Sequence, residues 1–225
     1  MNGPNNPIRW TDYTWNPIKG LCPVGCPYCY ARRIYKRFKY DPTIRLDKKE
    51  LYAPLKLKKP AKIFVCSTME LFGEWMEDIL SVAFHSTQHT FQFLTKFPER
   101  TEEFFFSENC WCGVTIEDDK HYNRTLSLQG IDAPIRFISF EPLHSAIPFN
   151  SSDFGWVDWV IIGAETGNRK GKITPKEEWI LSIVLQADKL KVPVFMKDNL
   201  KPYWKGELRQ ESPKAITEGL KCVVD

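Results

Sequence analysis

The sequence predicts an α/β fold built on a parallel sheet, and three observations lead there. Six short runs rich in β-branched and aromatic residues recur along the 225-residue chain, each too short for a helix. Segments with helical periodicity lie between some of them, the alternation expected of parallel strands joined by crossovers. Each run also leads into a polar residue, as strands do when their C-terminal ends share one functional rim.

The runs are Ile63–Cys66, Phe91–Leu94, Cys110–Ile116, Ile135–Phe140, Trp159–Ile162 and Val192–Met196. A helix is predicted over Leu71–Phe84, with apolar residues at 71, 72, 75, 76, 79, 80 and 83. A second is predicted over Pro175–Leu190, with Thr174 as N-cap and Glu177 and Glu178 near its positive end. Residues Tyr40–Pro60 and Lys201–Pro213 read as loops. The strand ends present Ser67 and Glu70, Lys96, Thr115 and Glu117, Glu141, Gly163 and Glu165, and Lys197. Glu117, Glu141 and Glu165 fall 24 residues apart, about one βα unit each time. Counting back by two from Glu117 turns Cys110 and Cys112 to the opposite face, where they are expected as buried small hydrophobes.

Hydrophobic residues at 43% and charged residues at 26% suit a folded globular chain and exclude wholesale disorder. Residues 1–225 are expected to form one domain, with a basic loop and helix over about 10–62 and a short C-terminal extension over about 200–225. No apolar run approaches the ~18 residues of a membrane span. The polar start has no apolar core of a signal peptide, so a cytoplasmic protein is expected. Charge is unevenly spread. Residues 1–62 hold fourteen Lys/Arg against four Asp/Glu, a net of +10, whereas residues 63–166 hold five against sixteen, a net of −11. A basic segment of this kind fits a polyanionic partner.

Cys22, Cys26 and Cys29 form a C-x3-C-x2-C loop stiffened by Pro23 and Pro27. Tight cysteine spacing in a reducing compartment points to metal. Three thiolates can hold three irons of a cubane cluster and leave the fourth iron open. They can also hold zinc if Cys66, Cys222, His85, His89, His121 or His144 supplies a fourth ligand.

With Tyr28 before the third cysteine, this loop resembles the hallmark of the radical S-adenosylmethionine (SAM) superfamily. More narrowly, the chain is similar to phage-associated and prokaryotic radical-SAM-like proteins of unassigned substrate. The matching segments are Trp10–Pro17, Cys29–Ala31, Leu94–Lys96, Phe137–Leu143, Trp159–Gly167 and Val192–Lys197. The resemblance implies a partial (β/α)6 barrel of the TIM-like type, with its first strand within Tyr13–Lys19. It implies a [4Fe–4S] cluster on Cys22, Cys26 and Cys29, with SAM on the unique iron. An electron donor of flavodoxin or ferredoxin type would drive reductive cleavage of SAM, and the resulting radical would abstract hydrogen from a substrate. The superfamily carries Gly-Gly-Glu after its second strand, where this chain has Ser67-Thr68-Met69-Glu70. The cofactor contacts so implied are Tyr28, Ser67, Glu70, Lys96, Thr115, Glu117, Glu141, Gly163, Glu165 and Lys197. No catalytic residue is singled out.

After the loop, Arg32, Arg33, Lys36, Arg37 and Lys39 alternate with Tyr30, Tyr35, Phe38 and Tyr40. Basic groups beside aromatics bind phosphates and stack bases, so DNA or RNA is the expected substrate. So few residues lie outside the barrel that the mouth is expected to be open and closed by a large substrate. The competing function is a non-catalytic iron–sulfur or zinc module that binds nucleic acid.

Overall fold

The computed structural model describes residues 1–3, 6–71 and 73–213. In chain order its elements are β1 (Tyr13–Trp15), β2 (Ile18–Lys19), α1 (Tyr30–Phe38), β3 (Arg45–Leu46), α2 (Lys48–Leu51) and β4 (Lys62–Val65). There follow α3 (Met76–Phe84), β5 (Thr90–Thr95), β6 (Cys110–Thr115), α4 (Arg124–Gln129), β7 (Arg136–Phe140), β8 (Trp159–Ile162), α5 (Glu177–Leu190) and β9 (Val194–Met196). Seven strands form one parallel sheet in the order β1-β4-β5-β6-β7-β8-β9, and β2 pairs antiparallel with β3. The expected α/β class is observed, with seven strands in place of six and no pairing of β1 with β9 to close a barrel. The expected first strand splits at Asn16-Pro17, because proline has no N–H to give a ladder.

The sheet is curled into an open half-barrel. Strands β4 and β8 are four places apart, which in a flat sheet means about 19 Å. Yet the Trp10 ring lies 4.7 Å from Phe64 of β4 and 5.9 Å from Trp159 of β8, centroid to centroid. One indole reaches both only if the sheet wraps around it. Trp10, Trp111, Phe137, Trp159, Ile161 and Phe195 fill the concave side. A Cβ on Gly113 would stand 2.5 Å from the Phe137 ring, so only glycine lets that ring seat.

The convex side carries the larger core. Ile63, Val65, Phe91, Phe93, Val114, Ile138, Phe140 and Ile162 point out from the sheet, and Cys110 and Cys112 are buried among them as expected. Helix α5 covers them with Ile180, Ile183, Val184 and Ala187, an i, i+3, i+4, i+7 stripe. Its N-cap is Lys176 rather than Thr174, and Glu177 and Glu178 occupy its first turn. The helix expected over Leu71–Phe84 begins only at Met76, after the turn around Gly73. Phe72, part of that expected stripe, lies outside the described residues. The Tyr40–Pro60 segment is not wholly loop, since it holds β3 and α2. Of the expected C-terminal extension, residues 214–225 lie outside the described residues. Among the described residues no helix is long and apolar enough to cross a membrane.

Candidate functional site

The C-terminal ends of the parallel strands bring the expected rim residues together, and a network of ion pairs binds them. Glu117, following β6, is 4% exposed. It accepts hydrogen bonds from Lys96 Nζ and Tyr28 Oη, and from Arg124 Nη1 at 2.7 Å. Burial would raise its pKa, but the Lys96 charge and hydrogen bonds from Lys96 and Tyr28, with Arg124 behind them, pull it down to about 2. Burial, then the Glu117 charge, pushes the Tyr28 phenol far up, so it stays protonated and donates. Glu141 pairs with Lys197 across β8. Gly163 makes room for that pair, since a Cβ there would sit 3.0 Å from both side chains.

Glu165, 3% exposed, takes two hydrogen bonds from Arg169, at 2.7 and 2.8 Å, and lies 3.0 Å from His144 Nε2. The Arg169 hydrogen bonds lower its pKa against the opposing effect of desolvation. Glu70 differs from the other rim acids. It accepts from Thr95 Oγ1 at 2.6 Å and from the backbone N–H groups of Leu71 and Lys96, and among the described residues no cation pairs with it. Burial raises its pKa. Ser67 donates to Asn16 Oδ1 at 3.2 Å. Thr115 is buried, and its carbonyl accepts from Arg124 at 2.7 Å.

The cysteine loop and the start of α1 lie across this rim. Tyr28 sits between Lys96, 5.5 Å over its ring, and His144, whose ring meets it edge-on at 5.3 Å. Tyr30 donates to the Ser67 carbonyl beyond β4, and Arg33 donates to the Thr166 carbonyl beyond β8. The mouth expected to be open is therefore crossed by the chain itself. The loop is held from behind by Arg32, which donates to the Cys22 carbonyl at 2.7 Å, and by the Gly20 N–H, which donates to Tyr35 Oη at 2.9 Å. Positive φ at Gly25, +73°, permits its turn.

The metal expectation is corrected here. Cys22, Cys26 and Cys29 border a common recess of about 20 Å³, but among the described residues no group of three or more His, Cys, Asp or Glu side chains is placed to hold a metal ion. A cubane or a zinc ion needs ligands that converge on one point, and spacing in sequence does not by itself supply that. Cys22 instead packs against the main core, and burial raises its thiol pKa. The candidate fourth ligands are also engaged elsewhere or buried apart. Cys66 is buried with its thiol pushed up to about 12. His89 lies 3.2 Å from the Pro54 carbonyl, His85 2.8 Å from that of Ser81, and His121 2.8 Å from Asp118. Cys222 lies outside the described residues. With the ligand set go the [4Fe–4S] cluster, SAM on its unique iron and the radical enzyme activity that the resemblance implied.

A family model matches residues 5–221. The chain belongs to DUF5131, a family described as proteins of unknown function. Searches of curated proteins and of solved structures each found no match.

Arg124, Arg169, His144 and Asn199 complete the site of this DUF5131 chain, and none of them stands at a strand end. Asn199 brackets Ala164, accepting from its N–H at 3.0 Å and donating to its carbonyl at 2.7 Å. A buried acid demands a partner, and Arg169 stands four residues after Glu165, so that pairing could have been read from spacing. Helix α1 is the opposite case. Only Ala31 of its nine residues is buried. Among the described residues, Arg32, Arg33, Lys36, Arg37 and Lys39 appear in no salt bridge.

Proposed function

We propose that the chain is a nucleic-acid-binding protein that makes its contacts through α1 and the basic segments around it. In this reading residues 1–225 act as one domain and the ligand is read without catalysis. The observation that carries it is the run of four α1 cations and the C-cap Lys39 with no acidic partner, beside exposed Tyr30, Phe38 and Tyr40. Like charges at i, i+4 destabilise a helix, and Arg32/Lys36 and Arg33/Arg37 both stand so. Phosphates arriving at that face relieve the repulsion and release counterions. Lys48, Lys49, Lys56, Lys58 and Lys59 extend the positive segment.

The rim residues have a positioning role in this reading. Lys96, Glu117 and Arg124 grip Tyr28, and Arg33 ties α1 to the loop after β8. The helix is thereby held across the mouth with Lys36, Arg37 and the C-cap Lys39 outward. The rim itself is a poor anion site, because each of its cations already faces a carboxylate.

The test is anisotropy titration of a labelled oligonucleotide at low salt. The wild-type protein binds it, and Lys36→Glu with Arg37→Glu reduces affinity by at least roughly 100-fold, given charge-assisted contacts of about 1.5–3 kcal/mol each. A double variant that folds normally and binds as well as wild type would refute the proposal.

A further inference from the structure

We infer that the C-terminal end of α1 is a base-stacking platform, which makes the ligand single-stranded nucleic acid rather than a duplex; this rests on the nucleic-acid reading above. Phe38 and Tyr40 lie with ring centroids 5.6 Å apart and planes at 22°, and they are 55% and 54% exposed. A parallel aromatic pair left half in water offers an outer π-face to a further ring. The Arg37 guanidinium lies over the Phe38 ring, 5.4 Å from its centroid, which leaves the Tyr40 side of the pair for a base and keeps a cation at the platform for its phosphate.

The platform is held in place by the backbone. Lys39 ends α1 in the left-handed region at φ 51°, and the N–H groups of Lys39 and Tyr40 both donate to the Tyr35 carbonyl. That turn folds Tyr40 back over Phe38 and sets it edge-on to Tyr35 at 5.6 Å. Tyr35 is itself fixed by the hydrogen bond from Gly20. A non-glycine residue in this conformation is uncommon, and here it fixes the geometry of two exposed rings that bury little of their own surface.

An open groove of about 530 Å³ runs beside the platform, bordered by Ile34, Tyr35 and Tyr40 and by two ion pairs, Arg45 with Asp41 and Lys19 with Asp47. Both cations of the groove are already neutralised, so it suits an uncharged base better than a phosphate. The unpaired cations lie along α1, where the backbone of the strand would run. A duplex offers such a surface little, since its base faces are covered by their neighbours. A single strand presents base faces and phosphates together.

The experiment compares, with the full chain at one salt concentration, a labelled oligodeoxythymidylate, an abasic oligomer of the same length and a hairpin duplex. The thymidylate is expected to bind roughly 5- to 100-fold more tightly than the abasic oligomer. Phe38→Ala and Tyr40→Ala each shrink that gap, and Phe38→Trp preserves it. Both side chains are exposed, so unchanged thermal unfolding verifies that these variants fold. Equal affinity for the thymidylate and abasic oligomers, or tighter binding of the duplex, overturns the platform and leaves the nucleic-acid reading standing. If none of the three binds, both fall. Because the ligand comparison uses the wild-type protein, it decides the question even if a variant fails to fold.

Discussion

The strand-end rim and helix α1 face each other across Tyr28 and treat charge in opposite ways. At the rim, Lys96, Arg124, Arg169 and Lys197 each meet a carboxylate, and Glu117 and Glu165 are almost wholly buried. On α1, Lys36 and Arg37, with Lys39 at its C-cap, stand in water without an acid, while Arg32 and Arg33 donate to backbone carbonyls. Buried charges survive only when paired, because leaving one alone costs several kcal/mol. Exposed charges are under no such constraint, so a helix end that keeps Lys36, Arg37 and Lys39 unpaired is open to a partner of the other sign. In the proposed reading the rim is a clasp and α1 a contact surface.

The largest expected effect lies in the clasp. Lys96→Met leaves the buried Glu117 carboxylate short of a cation and should lower stability by about 3 kcal/mol, near the bottom of the range for breaking a buried pair because Arg124 remains. Chemical denaturation checks this. On the other side of the comparison, Lys36→Ala should change stability by less than about 0.5 kcal/mol, in the stabilising direction because it removes repulsion. Equal losses from the two substitutions would erase the distinction between the regions.

Acid should open the clasp before it affects α1. The folded pKa of Glu117, about 2, lies below its ordinary 4.5. A depressed carboxylate contributes stability that is complete above the unfolded value and is lost as pH falls through the folded one. The shift is worth on the order of 3 kcal/mol, so unfolding free energy should decline between about pH 5 and pH 2. In Lys96→Met the same decline should be shallower. A profile identical to that of wild type would mean that Lys96 does not set the Glu117 pKa.

Much of the fold was legible in the sequence, and the reasons for the rest are physical. Strand composition located all six internal strands, with ends displaced by a residue or two. Cys66 fell outside β4 because its φ of 53° already turns the chain away. The rim acids were legible because strand ends fix their place. Two of their partners were not, since Arg124 arrives from α4 and His144 from a loop, and only tertiary packing brings them in, whereas Arg169 stands four residues from Glu165. The cysteine loop misled because spacing limits how far apart thiols are but does not make them converge. In the structure its half-buried Tyr28, not a thiol, reaches the rim and grips Glu117.

A smaller effect sharpens that last contrast. Tyr28→Phe removes one hydrogen bond to a carboxylate and should cost about 1.5–2 kcal/mol. It should also free the loop, so that the half-buried Cys26 and Cys29 react faster with a thiol reagent while buried Cys110 and Cys112 stay protected. Uniform reactivity across all four would indicate global unfolding instead of a released loop.

The central claim, that a polyanion is met by the unpaired cations of α1 and not by those of the rim, is tested most directly by the salt dependence of oligonucleotide binding. Each phosphate contact adds roughly −0.7 to the log–log slope for a single strand. Lys36→Ala with Arg37→Ala should make that slope shallower by about 1.4, whereas Lys197→Gln at the rim should leave it unchanged. A slope that is insensitive to the α1 substitutions, or one that changes with Lys197, would contradict the account.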